Sequence, residues 1–245
     1  MKTTFKSLIL LILILPISIA CSEQSIRQTL ETVNRTLEGD SSPLTSSEVA
    51  SGLREALVIG TGNAVDFSGV VDGFYKNPEL FIPFPPEAQK VKEVAMDLGL
   101  GNRVREFEET LNRAAETAVV KAKPIFVDAI MDMTIQDAFG ILNGGDQAAT
   151  DYLRSRTAAR LQEAFRPEVE EAIKQVELTK YWSPLASAYN TSTRFTGGEP
   201  VDPDLTGYVT ARATDGLFLL IGKEEEKIRE DPAARVTELL KKVFG

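Results

Sequence analysis

A chain of 245 residues with no histidine and a single cysteine has few reactions open to it. Without histidine there is no Ser-His-Asp triad, no Cys-His pair, none of the usual zinc ligand sets, and no side chain that titrates near neutral pH of its own accord. The one thiol, Cys21, lies near the N-terminus. No Gly-x-Ser-x-Gly elbow occurs. Thr214-Asp215-Gly216 has the letters of an aspartic protease in the wrong order. Chemistry would rest on carboxylates, lysines or hydroxyls. Asp128 and Asp132 are four apart and share a helix face, with Asp137, Asp146 and Asp151 close in sequence, an oxygen-rich set of the kind that suits calcium. No Asp-x-Asp-x-Asp-Gly loop accompanies them, so solvated faces and helix caps are the expected roles. Paired carboxylates also hydrolyse glycosides. Sugar sites want aromatic platforms, and Trp182 is the only tryptophan. A carboxylate-based hydrolase is therefore the least favoured of three readings, and no cofactor or metal is expected.

Phosphate-binding patterns are equally thin. Gly60-Thr61-Gly62 lacks the third glycine of a dinucleotide loop and follows a helical pattern, so a glycine pair easing helix contact is expected. Asn143-Gly144-Gly145 ahead of a helix could offer free N–H groups to an anion, but Asp146 would take the cap itself. Arg154, Arg156 and Arg160 could meet phosphate, with neighbouring acids the expected partners.

The aromatic cluster is more informative. Phe74, Tyr75, Phe81, Ile82 and Phe84 fall in a segment with prolines at 78, 83, 85 and 86. Proline fixes φ and withholds an N–H, so an extended, stiff ribbon is expected there. Alternation sends Leu80, Ile82 and Phe84 to one side and Phe81 to the other. One side should strap onto the core. Phe74, Tyr75, Phe81 and Phe84 form the candidate binding surface for a partner or an apolar ligand.

The elements that must position these residues are helices. A start is expected at Thr45 to Glu48 with Ser46 or Ser47 as cap, followed by Leu53, Ala56, Leu57 and Ala64 on one face. Val104, Phe107, Leu111, Ala114, Ala118, Ala122, Ile125, Ala129 and Met133 keep steps of three or four, and Pro124 should kink or split that run. Leu153, Thr157, Leu161, Phe165, Val169, Ala172 and Val176 form another, with Pro167 as its expected break. Further helices should begin near Leu205 and Pro232. The fold class is all-α: one multi-helix, bundle-like domain with one short extended Pro-rich segment.

Ahead of it, Lys2 and Lys6, the apolar run Leu8 to Leu15, and Ser18-Ile19-Ala20 read as a signal peptide. Cys21 directly after Ile19-Ala20 resembles a lipobox, although Ser18-x-Ala20 also suits an ordinary signal peptidase. The expected organisation is residues 1–20 as signal peptide, 21–44 as a tether with one short helix, and 45–245 as the helical domain. Removing residues 1–20 takes two lysines and no acid, leaving 25 basic against 36 acidic residues and a net charge of −11. A surface so acidic repels nucleic acid. The expected location is the bacterial cell envelope, on the periplasmic face of a membrane, or free in the periplasm if Cys21 carries no lipid.

Ser51-Gly-Leu-Arg-Glu-Ala-Leu57, Asn77-Pro-Glu-Leu-Phe-Ile-Pro-Phe-Pro85, Leu111-Asn-Arg-Ala-Ala-Glu116, Ala122-Lys-Pro-Ile-Phe126, Ile141-Leu-Asn-Gly-Gly-Asp-Gln-Ala-Ala-Thr150 and Thr214-Asp-Gly-Leu-Phe218 occur in that order. Together they resemble domain-of-unknown-function family 4197, small exported bacterial proteins that often carry a lipoprotein signal. The resemblance implies location and fold style and brings no catalytic residue. The expected function is a non-catalytic binding or interaction protein of the envelope, anchored through Cys21, with an envelope protein as partner. The alternative is a carrier or sensor of an apolar ligand held between helices.

Overall fold

The computed structural model describes residues 24, 26–32, 44–86, 89–174, 182, 187, 189–191, 193–194, 200, 202, 204–231 and 241. The signal peptide, Cys21, most of the tether and the helix expected near Pro232 lie outside them.

Seven helices carry the described domain, and no strand occurs among the described residues: α1 (Ser46–Ser68), α2 (Gln89–Asp97), α3 (Gly101–Val119), α4 (Ala122–Met131), α5 (Ile135–Leu142), α6 (Ala148–Lys174) and α7 (Leu205–Glu230). The all-α class stands. None of these helices is long and apolar enough to cross a membrane.

Local chemistry sets their ends. Thr45, one residue before the expected serines, caps α1 in a reciprocal box: Glu48 N–H donates to Thr45 Oγ1 (3.2 Å) and Thr45 N–H to Glu48 Oε2 (2.8 Å). Thr134 and Asp137 repeat the device on α5, at 3.0 Å in both directions. Asp204 caps α7 by accepting from Gly207 N–H (2.9 Å). Pro124 does split its run. α3 stops at Val119, and α4 restarts at Ala122 with the proline in its first turn, where a missing N–H costs nothing.

Pro167 does not break α6, contrary to expectation. The proline is exposed, and so is Glu163, whose carbonyl loses its helical donor to water rather than to the core. Phe165 and Val169 on either side stay buried and hold the helix together.

α7 packs against α6, α1 and α3, and α6 against α3 and α4, so these two long helices form the centre. The stripe of α3 and α4 is buried from Val104 to Met133, except for Ile125, which packs against the core from its edge. Trp182 is also core, stacked among Phe84 and Phe107, and offers no platform to a sugar.

Candidate functional site

The segment between α1 and α2 has no regular hydrogen-bond partner, so its buried backbone groups need another source. α3 supplies it. Glu108, Asn112 and Glu116 are spaced four apart and stand in a row along one helix face. Glu116 Oε1 accepts from the N–H groups of Phe74 (3.0 Å) and Tyr75 (3.1 Å). The Asn112 amide accepts from Ile82 N–H (2.8 Å) and donates to the Ile82 carbonyl (2.9 Å), as a neighbouring strand would. Glu108 accepts from Phe84 N–H (3.1 Å) and from Lys92 Nζ (2.8 Å). The ribbon expected from the prolines is extended only in its second half: Asn77 to Leu80 form a turn, with the N–H groups of Leu80 (3.2 Å) and Phe81 (2.8 Å) on the Asn77 carbonyl, and the rest is a strap held by side chains rather than a strand.

Its alternation is as the sequence implies: Leu80, Ile82 and Phe84 are buried and Phe81 is half-buried. The candidate surface needs correcting. Phe74 and Phe84 are in the core, Phe74 against Gly216 of α7 and Phe84 against Phe107 and Trp182. A stiff loop over a helix groove seats its largest side chains inward because their burial outweighs anything gained by display. Tyr75 and Phe81 stay half-buried, with ring centroids 6.2 Å apart and the Arg113 guanidinium 5.2 Å over Tyr75.

Arg113 ties the start of the strap to α3. It bonds Glu116 (2.9 Å), Asp72 (2.6 Å) and Glu109 (3.2 Å), and these carboxylates, Glu116 first, hold its pKa above the usual range. Asp72 also pairs with Lys76 (2.7 Å), and the two cations, Lys76 first, hold its carboxyl below the ordinary value. Asp72 is the only non-glycine among the described residues with a left-handed backbone (φ 70°). Beside it Gly73 has no room for a side chain, since a Cβ would stand 2.4 Å from the Ser68 carbonyl oxygen.

This clamped turn presents an apolar knob that sequence reasoning missed. Phe67 is 58% and Val71 76% exposed, with Val70 between them, and all three line an open depression of about 570 Å³ together with Pro78. Periodicity puts either Phe67 or Ser68 on the inner face of α1. The structure buries Ser68, whose hydroxyl donates to the Ala64 carbonyl (2.7 Å), and turns Phe67 out. The available signal was Val70-Val71-Asp72-Gly73, two apolar residues entering an Asp-Gly turn.

The other candidates resolve into structure. The start of α6 is closed not by Asp146 but by Glu225 of α7, a buried carboxylate that accepts from Ala149 N–H (3.0 Å), Thr150 N–H (2.9 Å) and Thr150 Oγ1 (2.8 Å) and pairs with Arg229 (2.8 Å). A fixed charge on those N–H groups leaves no anion site there. Gly60 does face α7, 3.5 Å from Glu224 at its Cβ position, but Gly62 faces open space. Arg154 and Arg160 pair with Asp215 (2.8 Å) and Asp128 (3.2 Å), and Arg156 lies over the Tyr152 ring. Asp128 and Asp132 join no group of possible metal ligands among the described residues.

Among the described residues, the carboxylates with displaced pKa values are displaced downward: Asp72, Asp137, Glu170 and Asp204. For Asp137 the Thr134 N–H is the main cause, and for Asp204 burial works against Arg166 and Gly207 and is outweighed. A general acid needs the opposite displacement. Among the described residues, an apolar pocket between Leu53, Ala56, Gly60, Ile221 and Ile228 has room for about 30 Å³, the size of one water.

No curated protein and no solved structure matches the chain. A family model described as protein of unknown function, DUF4197, matches residues 43–245, which takes in the strap, the knob and all seven helices. The chain belongs to this DUF4197 family.

Proposed function

We propose that the protein is a non-catalytic interaction module of the bacterial envelope, held to the periplasmic face of a membrane by a lipidated Cys21, and that it meets its partner through the Phe67–Val70–Val71 knob. The observation that carries this reading is the combination of a filled core with an apolar protrusion on a clamped turn. A carrier needs an internal cavity of at least about 300 Å³, and the apolar pocket between α1 and α7 among the described residues has room for one water. A carboxyl that serves as a general acid needs its pKa raised towards neutrality, and the carboxyls displaced among the described residues, Asp72, Asp137, Glu170 and Asp204, are displaced the other way. A protrusion whose backbone is already fixed loses little entropy on binding, which suits recognition. The basic, apolar and small residues ahead of Cys21 support export and anchoring.

The test uses two variants. Cys21→Ser should release the protein from the membrane fraction or leave it as a precursor. Val71→Asp should abolish partner capture from native membranes at an unchanged melting temperature, because Val71 is exposed and supports no packing. Capture that survives Val71→Asp would remove the knob from the reading, and intact mass spectrometry of an unmodified mature N-terminus would remove the anchor.

A further inference from the structure

α4 is apolar on two opposite faces. Its inner face, Ala122, Phe126, Ala129 and Ile130, is buried. Its outer face carries Val120 in the preceding turn, then Pro124, Val127 and Met131, and this face is open: Val120 is 50%, Val127 40% and Met131 66% exposed. A helix with a second apolar face opposite its buried one is normally covered there too. The four outer residues are spaced 4, 3 and 4, which is the d-a-d-a step of a coiled-coil seam, and Val120 and Lys121 already have helical backbone angles. Only two charges occur on α4, and they flank this seam. Lys123 precedes an a position and is therefore at g, and Asp128 follows a d position and is therefore at e.

We propose that this seam is covered by a second copy of the chain, with the two α4 helices side by side and parallel. In that arrangement each outer residue meets its own counterpart, and a g side chain meets the e side chain five residues on in the neighbour. Lys123 of one copy then meets Asp128 of the other, and the pair forms twice. An antiparallel arrangement sets g against g and e against e, Lys123 opposite Lys123 and Asp128 opposite Asp128, so the charges select the parallel one. Within one copy the same two residues hold only exposed partners, Asp66 (2.6 Å) and Arg160 (3.2 Å), which are cheaply exchanged. The seam runs about 16 Å from Val120 to Met131 at the helical rise. A contact this short falls below the roughly 800 Å² per partner of a standard interface, so the pair is weak in dilute solution and is reinforced when both copies share one surface. The inference does not depend on where the chain resides or on what the knob binds.

The test is cross-linking of the full chain in its host cells. Met131→Cys brings two cysteines together in the parallel pair, whereas the antiparallel pair holds them about 16 Å apart, well beyond the roughly 7 Å between Cα atoms that a disulfide allows. Oxidation should give a disulfide dimer with Met131→Cys, above the level of the parent chain with Cys21 alone. Adding Val127→Glu should abolish it at an unchanged melting temperature. Sedimentation equilibrium of the purified parent should show dimer growing with concentration, and Val127→Glu should be monomeric. A parent monomeric up to about 1 mM, a concentration that reveals even weak pairs, would overturn the proposal. So would a dimer indifferent to Val127→Glu, or a cross-link formed only between Val120→Cys and Met131→Cys chains.

Discussion

Asp72 is held against its conformational preference by charge. The left-handed region brings Cβ close to the following carbonyl oxygen, and only a short polar side chain with local partners tolerates it readily. Here the partners are Lys76 and Arg113. Two substitutions separate the strain from the clamp. Asp72→Gly and Asp72→Ala both lose the carboxylate, but only alanine keeps the steric penalty. Urea denaturation should therefore place Asp72→Ala below Asp72→Gly by about 1 kcal/mol. Equal midpoints would mean that the backbone of the turn relaxes in the variants and that the left-handed angle stores nothing. Gly73 admits no such comparison, because its Cβ would collide with backbone. The same residue-scale logic makes Asn112 the best-matched side chain of the strap, since a carboxamide alone offers both a donor and an acceptor to one peptide unit.

At the scale of elements, helix α7 shows how one residue type works in opposite directions within 10 Å of helix. Gly216 touches the strap: a Cβ there would stand 3.1 Å from Phe74 Cε1 and 3.3 Å from Leu80 Cδ2, both in the core. Gly222, near α6, has nothing nearer its Cβ position than Thr150 Oγ1 at 3.7 Å, an ordinary contact. Glycine inside a helix costs up to about 1 kcal/mol against alanine. Gly222→Ala should therefore raise stability by about 0.5–1 kcal/mol. Gly216→Ala should lower it by about 1–3 kcal/mol, because Phe74 and Leu80 have nowhere to move. Chemical denaturation of the two variants checks both signs, and a stabilised Gly216→Ala would show that the strap can lift off α7. Cohesion between elements also runs through buried charge. Glu225 closes the first turn of α6 from α7 and keeps Arg229 beside it, whose guanidinium reaches the Ile141 carbonyl of α5 (3.1 Å).

For the whole molecule the downward-displaced carboxyls set the acid limit. Asp72, Asp137 and Asp204 are each stabilised as anions in the folded state, by cations at Asp72, by cap N–H groups at Asp137, and by both at Asp204. A carboxyl whose folded pKa lies below its unfolded one contributes stability above the unfolded value and loses it as pH falls through the folded value. The melting temperature should accordingly hold near neutrality and fall between about pH 5 and pH 2. Asp137→Asn, which keeps the side-chain oxygen but not the charge, should start lower at pH 7 and decline less steeply. Parallel curves for parent and variant would show that the cap at α5 takes no part in acid unfolding.

The sequence alone determined the helical class, the split at Pro124, the inward and outward sides of the strap, and membership of the family. Each follows from periodicity, from proline geometry or from ordered motifs, all of which act over a few residues of chain. Tertiary structure decided the rest. Pro167 sits inside a helix because its freed carbonyl faces water, and Phe74 and Phe84 turn inward because α3 and α7 leave a groove of their size. Glu225 takes the cap that Asp146 was expected to hold, from a helix some seventy-five residues away. The row Glu108, Asn112 and Glu116 looked like polar helix surface until a loop with unmet N–H groups lay across it. Exposure of Phe67 and of the outer face of α4 likewise depends on which neighbours arrive. One-dimensional patterns report what a segment can bury. Only the assembled molecule settles what it does bury, because that is a competition among all the segments for the same core.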